Sequence, residues 1–199
     1  NHPARLDMLV LETGSSLEQL ELYYKKVSSL CTPGSVTSDL VGDMTCILQS
    51  GAPHVILLWQ IARTVTLRAC AQAYEKLDVK LTMQDICGES FYGPQLPKVV
   101  SDLDKLGLIE ASNGAKCIFL EGYKTKDDEP MGFIVQKSNG AYLYATTDLA
   151  ALRYRINDLK VNRIVIVTDA RQKQHFEMMF KCARKAGWVS DEMQLEHVP

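Results

Sequence analysis

Gly-x-Gly occurs nowhere in these 199 residues, although the chain holds 12 glycines, and Gly-Lys-Ser/Thr is missing as well. A dinucleotide fingerprint needs its glycines to bring backbone against a pyrophosphate, and a P-loop needs its lysine to reach the terminal phosphates. Dehydrogenase and P-loop ATPase chemistry therefore find no support. No run of about eighteen apolar residues is free of charge, so no membrane-spanning helix is expected. The opening Asn1-His2-Pro3-Ala4-Arg5 has no apolar core of the kind a secretory leader needs. Neither sign of charge is in excess. The 22 Lys+Arg against 24 Asp+Glu give a net charge of −2, which leaves no overall electrostatic footprint for nucleic acid. The six cysteines, at 31, 46, 70, 87, 117 and 182, include no Cys-x-x-Cys pair, and the four histidines are scattered. Buried thiols in a reducing compartment are expected, with neither a disulfide framework nor a metal site.

What is present is enough to build a core. A hydrophobic content of 46% at this length supports one large domain, or one and a half. Residues 1–14 are weakly patterned. Ser15-Ser16-Leu17-Glu18 has capping-box spacing, and Leu17, Leu20, Tyr24 and Val27 then form a helical stripe. A second helix carries Leu40, Met44, Ile47 and Leu48 and stops near Ser50-Gly51. Pro53 suits the start of a long third helix with Val55, Leu58, Trp59, Ala62, Thr66, Ala69, Ala73 and Leu77 along one side. Arg63 and Arg68 on that helix read as solvated surface in preference to an RNA contact.

Gly88-Glu89-Ser90-Phe91-Tyr92 is not Gly-x-Ser-x-Gly and has no recognisable histidine partner, so it reads as a turn and not as a reactive serine. A helix with Leu96, Val99, Val100, Leu103 and Leu106 inward follows and ends at Gly107. Residues 108–120 read as a β-hairpin about Asn113-Gly114, and Tyr123 to Pro130 as a charged exposed loop. Residues 133–144 repeat the hairpin pattern about Ser138-Asn139-Gly140.

The rest is organised around residues 140–187. Tyr142-Leu143-Tyr144 is short and β-prone. Thr146 or Thr147 can cap a helix bearing Leu149, Leu152 and Ile156 at i, i+3 and i+7. Ile164-Val165-Ile166-Val167 is apolar at every position, as in a parallel strand buried on both faces. A further helix with Phe176, Met179, Phe180 and Ala183 on one face ends at Gly187. The pattern is strand, helix, strand, helix with the two strands parallel, half of an open nucleotide-binding sheet. In such sheets ligands sit beyond the strands' carboxyl ends, where helix N-termini point at them. That puts Tyr144, Thr147, Asp148, Asp169, Gln172, Gln174 and His175 at a crevice. Tyr144 and Asp148, four apart, share a helix face. A carboxylate beside a phenol can receive a planar cation through two parallel hydrogen bonds. The alternative is that Asp148 serves only the first helical turn and Tyr144 the core.

Tyr-Leu-Tyr-Ala-Thr-Thr-Asp-Leu-Ala-Ala-Leu, then Ile-Val-Thr-Asp-Ala-Arg-Gln-Lys-Gln-His-Phe and Ala-Arg-Lys-Ala-Gly-Trp, closely resemble the catalytic core of arginyl-tRNA synthetases, which are class I aminoacyl-tRNA synthetases. The resemblance extends to Leu48-Gln49-Ser50-Gly51, Gly88 to Tyr92 and Leu195-Glu196-His197-Val198, and covers roughly residues 40–199 in the right order. It implies an α/β fold: the second half of a class I synthetase Rossmann-like nucleotide-binding sheet, with a helical and β-hairpin insertion. Residues 1–87 would be the helical insertion segment and 88–199 the α/β half of one continuous, incomplete catalytic domain. It implies an arginine pocket of Tyr144, Asp148 and Gln172, with Asp148 on the guanidinium, Tyr144 beside it and Gln172 at the amino-acid end. Gln174 and His175 match a stretch on the ATP side. The implied activity is ATP-dependent formation of arginyl-adenylate and transfer to tRNA(Arg) in the cytoplasm. L-arginine, ATP with Mg2+, and tRNA held with the help of other domains are the implied partners; no membrane is.

The family's His-x-Gly-His signature and its lysine-bearing loop are both absent. Asn1-His2 resembles the block preceding an Asp-Trp-Gly-Thr-Gln-Phe-Gly segment, but Pro3-Ala4-Arg5-Leu6-Asp7 departs from it. Adenylate formation rests mostly on positioning and on donors aimed at the transition state. The chain alone is therefore expected to be silent in adenylation. No catalytic side chain is assigned. The competing reading is a synthetase-like binding or interaction module, or a truncated fragment.

Overall fold

The computed structural model describes residues 3–199, with the backbone only at Pro3, Ala4, Arg5 and Asp7. The Asn1-His2 reading lies outside the described residues. The chain divides into two compact units, Asn1–Ile86 and Cys87–Pro199.

The first unit is helical: α1 (Pro3–Glu12), α2 (Leu17–Leu30), α3 (Val36–Gln49) and α4 (Pro53–Lys76). The weakly patterned opening is thus a helix, not an irregular lead-in. Local chemistry sets the boundaries that follow it. Ser16 caps α2 by accepting from the Gln19 amide at 3.3 Å, and Ser35 caps α3 by accepting from Ser38 at 3.1 Å. Pro53 opens α4, where its missing N–H costs nothing. The buried core here is small: Val10, Ile61 and Val65, with Leu9 and Leu20 packed on it. The predicted inward stripes fare poorly. Val55 of α4 is buried and Leu20 of α2 packs on the core, but Leu17, Tyr24 and Val27 of α2, Leu40, Met44 and Ile47 of α3, Leu58 of α4 and Leu77 at its C-cap are exposed. Ile61 and Val65, one turn apart on α4, take the inward role.

The second unit opens with α5 (Glu89–Tyr92) and α6 (Leu96–Lys105), and continues with β1 (Glu110–Ser112), β2 (Ala115–Lys124) and β3 (Pro130–Gln136). Then come α7 (Tyr144–Asn157), β4 (Arg163–Val167), α8 (Lys173–Lys185) and β5 (Gln194–Val198). Asn113 and Gly114 both take positive φ, +49° and +76°, as a two-residue hairpin between β1 and β2 requires. β3 pairs antiparallel with β2, placing Ile118 opposite Phe133. The predicted hairpin of β3 with residues 141–144 shrinks to one antiparallel bridge, Gln136 to Tyr142.

Two further expectations are corrected. Tyr142-Leu143-Tyr144 is not a strand, because Tyr144 already begins α7. The Leu143 carbonyl accepts from the amides of Thr146 and Thr147, at 3.0 and 3.2 Å. Neither threonine caps the helix; the Thr146 hydroxyl is spent on the Val135 carbonyl and ties the first turn to β3. The parallel pair is β4 with β5, Ile164 opposite Leu195, with α8 between them in sequence. β4 is covered on one face only. Ile164 is buried while Val165 and Val167 are exposed.

The core of this unit centres on α7. Leu149, Ala150 and Leu152 are fully buried, packed with Val99 and Leu103 of α6, Ile118 and Val135 of the sheet, and Met179 and Cys182 of α8. A helix buried over most of its surface needs no polar stripe, which is why its sequence shows weak periodicity. Leu106, expected inward, is exposed, and Gly107 (φ +66°) ends α6 there.

Candidate functional site

The first turns of α7 and α8 face each other across the end of β3. Tyr144 and Asp148, at i and i+4 on α7, project to the same side. His175, in the first turn of α8, meets both. Its Nε2 lies 2.7 Å from Asp148 Oδ2, and its ring centroid is 4.7 Å from that of Tyr144. Phe133 and Phe176 flank the same imidazole at 5.8 and 4.9 Å. The Asp148 side chain is 33% exposed and that of His175 14%, so the carboxylate opens to solvent over a histidine that is nearly enclosed. Beside them lies a cavity of about 260 Å³, walled by Met131 to Ile134 of β3, Leu143 to Ala145, and Gln174, His175 and Met178 of α8. Its lining is mostly apolar with a few convergent polar groups, which is the usual make-up of a small-ligand site.

The predicted residues distribute unevenly. Tyr144, Asp148 and His175 are brought together, and Gln174 joins the cavity wall with its amide 2.9 Å from Met131 Sδ. Gln172 is exposed at the N-cap of α8; among the described residues it shares no hydrogen bond with Tyr144 or Asp148. Asp169 is occupied elsewhere. It caps the turn Ala170–Gln172 and takes both Arg171 Nε and Nη2, at 2.9 and 3.0 Å. That guanidinium first, and the Arg171 backbone amide second, hold its carboxyl below the usual range. Thr147 is buried and returns its hydroxyl to the Leu143 carbonyl at 3.4 Å. At the ends of the parallel pair, Thr168 Oγ1 and His197 Nε2 lie 2.8 Å apart and bridge β4 to β5.

Sequence reasoning missed the Asp148–His175 contact, which joins residues 27 positions apart. Nothing in local spacing announces it. It also missed Phe133 and Met178 as cavity walls, where the alternation of β3 and the periodicity of α8 offered a signal. Among the described residues, no group of three His, Cys, Asp or Glu side chains could hold a metal ion. Among the described residues, no helix is long and apolar enough to cross a membrane.

Comparisons with known proteins bear on this geometry. The arginine–tRNA ligase of Pseudomonas savastanoi pv. phaseolicola is 44% identical over 186 residues, covering 94% of this chain and 32% of that protein. That of Nostoc punctiforme is 42% identical over 193 residues, covering 97% and 32%. This chain thus spans about a third of the length of the curated relatives it matches. The crystal structure of arginyl-tRNA synthetase from Plasmodium falciparum superposes with a TM-score of 0.67 at 31% identity, over 81% of this chain and 27% of that one. Residues 9–199 match the family described as tRNA synthetases class I (R), catalytic domain, and the chain belongs to that family.

Proposed function

We propose that this chain contributes the arginine-recognising part of an arginine–tRNA ligase. The parent activity is activation of arginine with ATP to arginyl-adenylate, followed by transfer to tRNA(Arg) in the cytoplasm. The observation that carries the reading is the half-open Asp148 carboxylate, one helical turn from the exposed Tyr144, which with the Asp148 partner His175 lines a cavity. An ionised carboxylate offers acceptor sites only, and its planar geometry matches the guanidinium fork. Tyr144 supplies an aromatic face and a hydroxyl beside that fork. Gln172, at the N-cap of α8, would turn toward the amino-acid end only with the ligand bound. Gln174 stands where α8 presents its first amides, in the stretch that the family resemblance gives to the nucleotide side; His175 of the same stretch is engaged by Asp148 instead, at 2.7 Å, and is not assigned to the nucleotide here. Mg2+ enters this reading only as the companion of the ATP phosphates.

In the activation step the arginine carboxylate attacks the α-phosphorus of ATP, a mixed-anhydride bond forms, and the bond from that phosphorus to the α,β-bridging oxygen breaks as pyrophosphate leaves. Holding the side chain at Asp148 fixes where that carboxylate stands, which is the positioning share of the rate. The 199 residues contain neither His-x-Gly-His nor the lysine-bearing loop, so arginine-dependent exchange of pyrophosphate into ATP is to be measured on the whole protein.

The test pairs that exchange with calorimetric titration of arginine. Charge-assisted hydrogen bonds contribute about 1.5 to 3 kcal/mol each, so Asp148→Asn should weaken arginine binding at least about tenfold. Asp169→Asn should change it little, because that carboxylate is already committed to Arg171. Lysine should compete poorly, since an ammonium cannot make the paired planar contact. Equal losses from the two variants, or none, would sink the reading.

A further inference from the structure

We propose that His175 is the positioning residue for Asp148: its Nε2–H holds one carboxylate oxygen so that the remaining acceptor sites are preset for a guanidinium. The inference rests on the arginine-recognition reading above and assigns His175 to the amino-acid side of the site.

An aspartate one-third open to solvent ordinarily samples several rotamers, and a ligand that selects one of them bears the ordering cost. Here a single bond removes that freedom. Nε2 of His175 lies 2.7 Å from Asp148 Oδ2, and among the described residues no other hydrogen bond reaches that carboxylate. Because an ionised carboxylate is acceptor-only, the imidazole carries its proton on Nε2 in this pair. Oδ1, and the second lone pair of Oδ2, stay available for a forked donor.

The histidine is itself fixed. Its ring is packed by Phe133, Tyr144 and Phe176, with centroids 4.7 to 5.8 Å away, and its side chain is only 14% exposed. A residue that is rigid, nearly buried and in contact with both Tyr144 and Asp148 sets the spacing between α8 and the two proposed substrate contacts on α7. Rigid support behind a contacting group, rather than the contact alone, decides whether that group is held in productive geometry. His175 does not touch the proposed substrate in this scheme. It acts through Asp148, and its loss should appear in arginine binding and not in the nucleotide.

The experiment uses the whole protein and steady-state pyrophosphate exchange, with KM for arginine and for ATP measured separately. His175→Leu keeps the apolar packing and deletes the donor; it should raise the arginine KM about tenfold with the ATP KM and kcat changed less than about twofold. His175→Gln reaches the same point with an amide N–H and should return the arginine KM to within about threefold of wild type. His175→Asn, too short to reach, should behave like the leucine variant. If the leucine variant fails to fold, the Gln and Asn pair decides the matter.

An unchanged arginine KM in His175→Leu overturns the proposal. So does a parallel rise in both KM values, or equal behaviour of Gln and Asn. Asp148→Asn, run alongside, separates the two levels of inference. A loss there with no loss in His175→Leu removes the positioning role and spares the pocket. No loss in Asp148→Asn removes the arginine-recognition reading itself.

Discussion

At the scale of single residues, the cysteines show how little type alone says about environment. Sequence reading expects buried thiols, but only Cys117 and Cys182 are buried; Cys31, Cys46 and Cys70 are half-buried and Cys87 is exposed. Burial pushes the Cys182 thiol up to about 12, with the Lys185 charge pulling the other way, and burial also raises that of Cys117. The thiolate is the attacking species. At pH 8 a thiol with a pKa near 12 is ionised in roughly one molecule in ten thousand. An aromatic disulfide reagent added to the native chain at pH 8 should therefore label Cys87 first. Cys117 and Cys182 should react only after denaturant is added. Peptide mapping that finds Cys182 modified in the native chain would contradict its placement under α7. The cause of the mistaken expectation is that a cysteine's position in sequence gives its phase on a helix, and not whether anything covers that phase.

At the scale of elements, an ion pair joins α6 to α7, and a cation–π contact ties α7 to Trp188 beyond the end of α8. Asp102 of α6 accepts from Lys98 and from Arg153 of α7, each at 2.8 Å, and the Arg153 guanidinium lies 4.5 Å over the Trp188 ring. The Lys98 hydrogen bond first, opposed by burial and helped by the Arg153 hydrogen bond and charge, holds the Asp102 carboxyl below its usual value. A depressed carboxylate stabilises the fold above its unfolded value, near 3.9, and that stabilisation is lost as pH falls through the folded value. Asp102→Asn should then cost about 1 to 2 kcal/mol at pH 7, between the worth of a surface pair and a fully buried one. The gap between variant and wild type in urea midpoints should close as pH falls below about 4. Asp128→Asn, on a pair with Lys124 that is open to solvent, should change stability by less than about 0.5 kcal/mol. Elements read well from sequence wherever the chemistry is local. Asn113-Gly114 dictates a hairpin, Ser15-Ser16 and Pro53 mark helix starts, and Gly187 at φ +68° ends α8. They read badly where a distant partner decides. Tyr142 to Tyr144 look like a strand, but the helix starts early because Thr146 finds the Val135 carbonyl 11 residues back. The partner of β4 is the later β5 for a similar reason. The site follows the same division: the shared face of Tyr144 and Asp148 is legible, whereas the histidine behind Asp148 is not.

At the scale of the whole chain, two units with very different interiors should differ in stability. In the unit Cys87–Pro199, one core runs from Tyr92 through α6, the antiparallel sheet and α7 to Val189. In the unit Asn1–Ile86, the buried apolar side chains among the described residues are Val10, Val55, Ile61 and Val65, and α2 and α3 bury none of theirs. Apolar burial is the main favourable term in folding, while the entropy of ordering the backbone is opposed residue by residue in both units alike. Helices of 14 residues, the length of α2 and α3, are marginal in water unless a face is packed. Local opening should therefore be cheap in α2 and α3 and expensive in α7 and α8. Native-state hydrogen exchange of the 199-residue chain should show amides of α2 and α3 exchanging at least about tenfold faster than those at Leu149 to Leu152 and Met179 to Ala183, a difference of about 1.4 kcal/mol in opening free energy. Limited trypsin digestion should agree, cutting first at Lys25 or Lys26 of α2, both exposed. Cleavage behind Arg153 of α7, whose side chain is only 18% exposed, should come last. Equal protection across the two units would mean that the exposed leucines, tyrosines and valines of α2 and α3 are covered in solution, for instance by self-association. That alternative predicts exchange rates in α2 and α3 that fall as protein concentration rises, whereas the marginal packing described here predicts rates that do not depend on it.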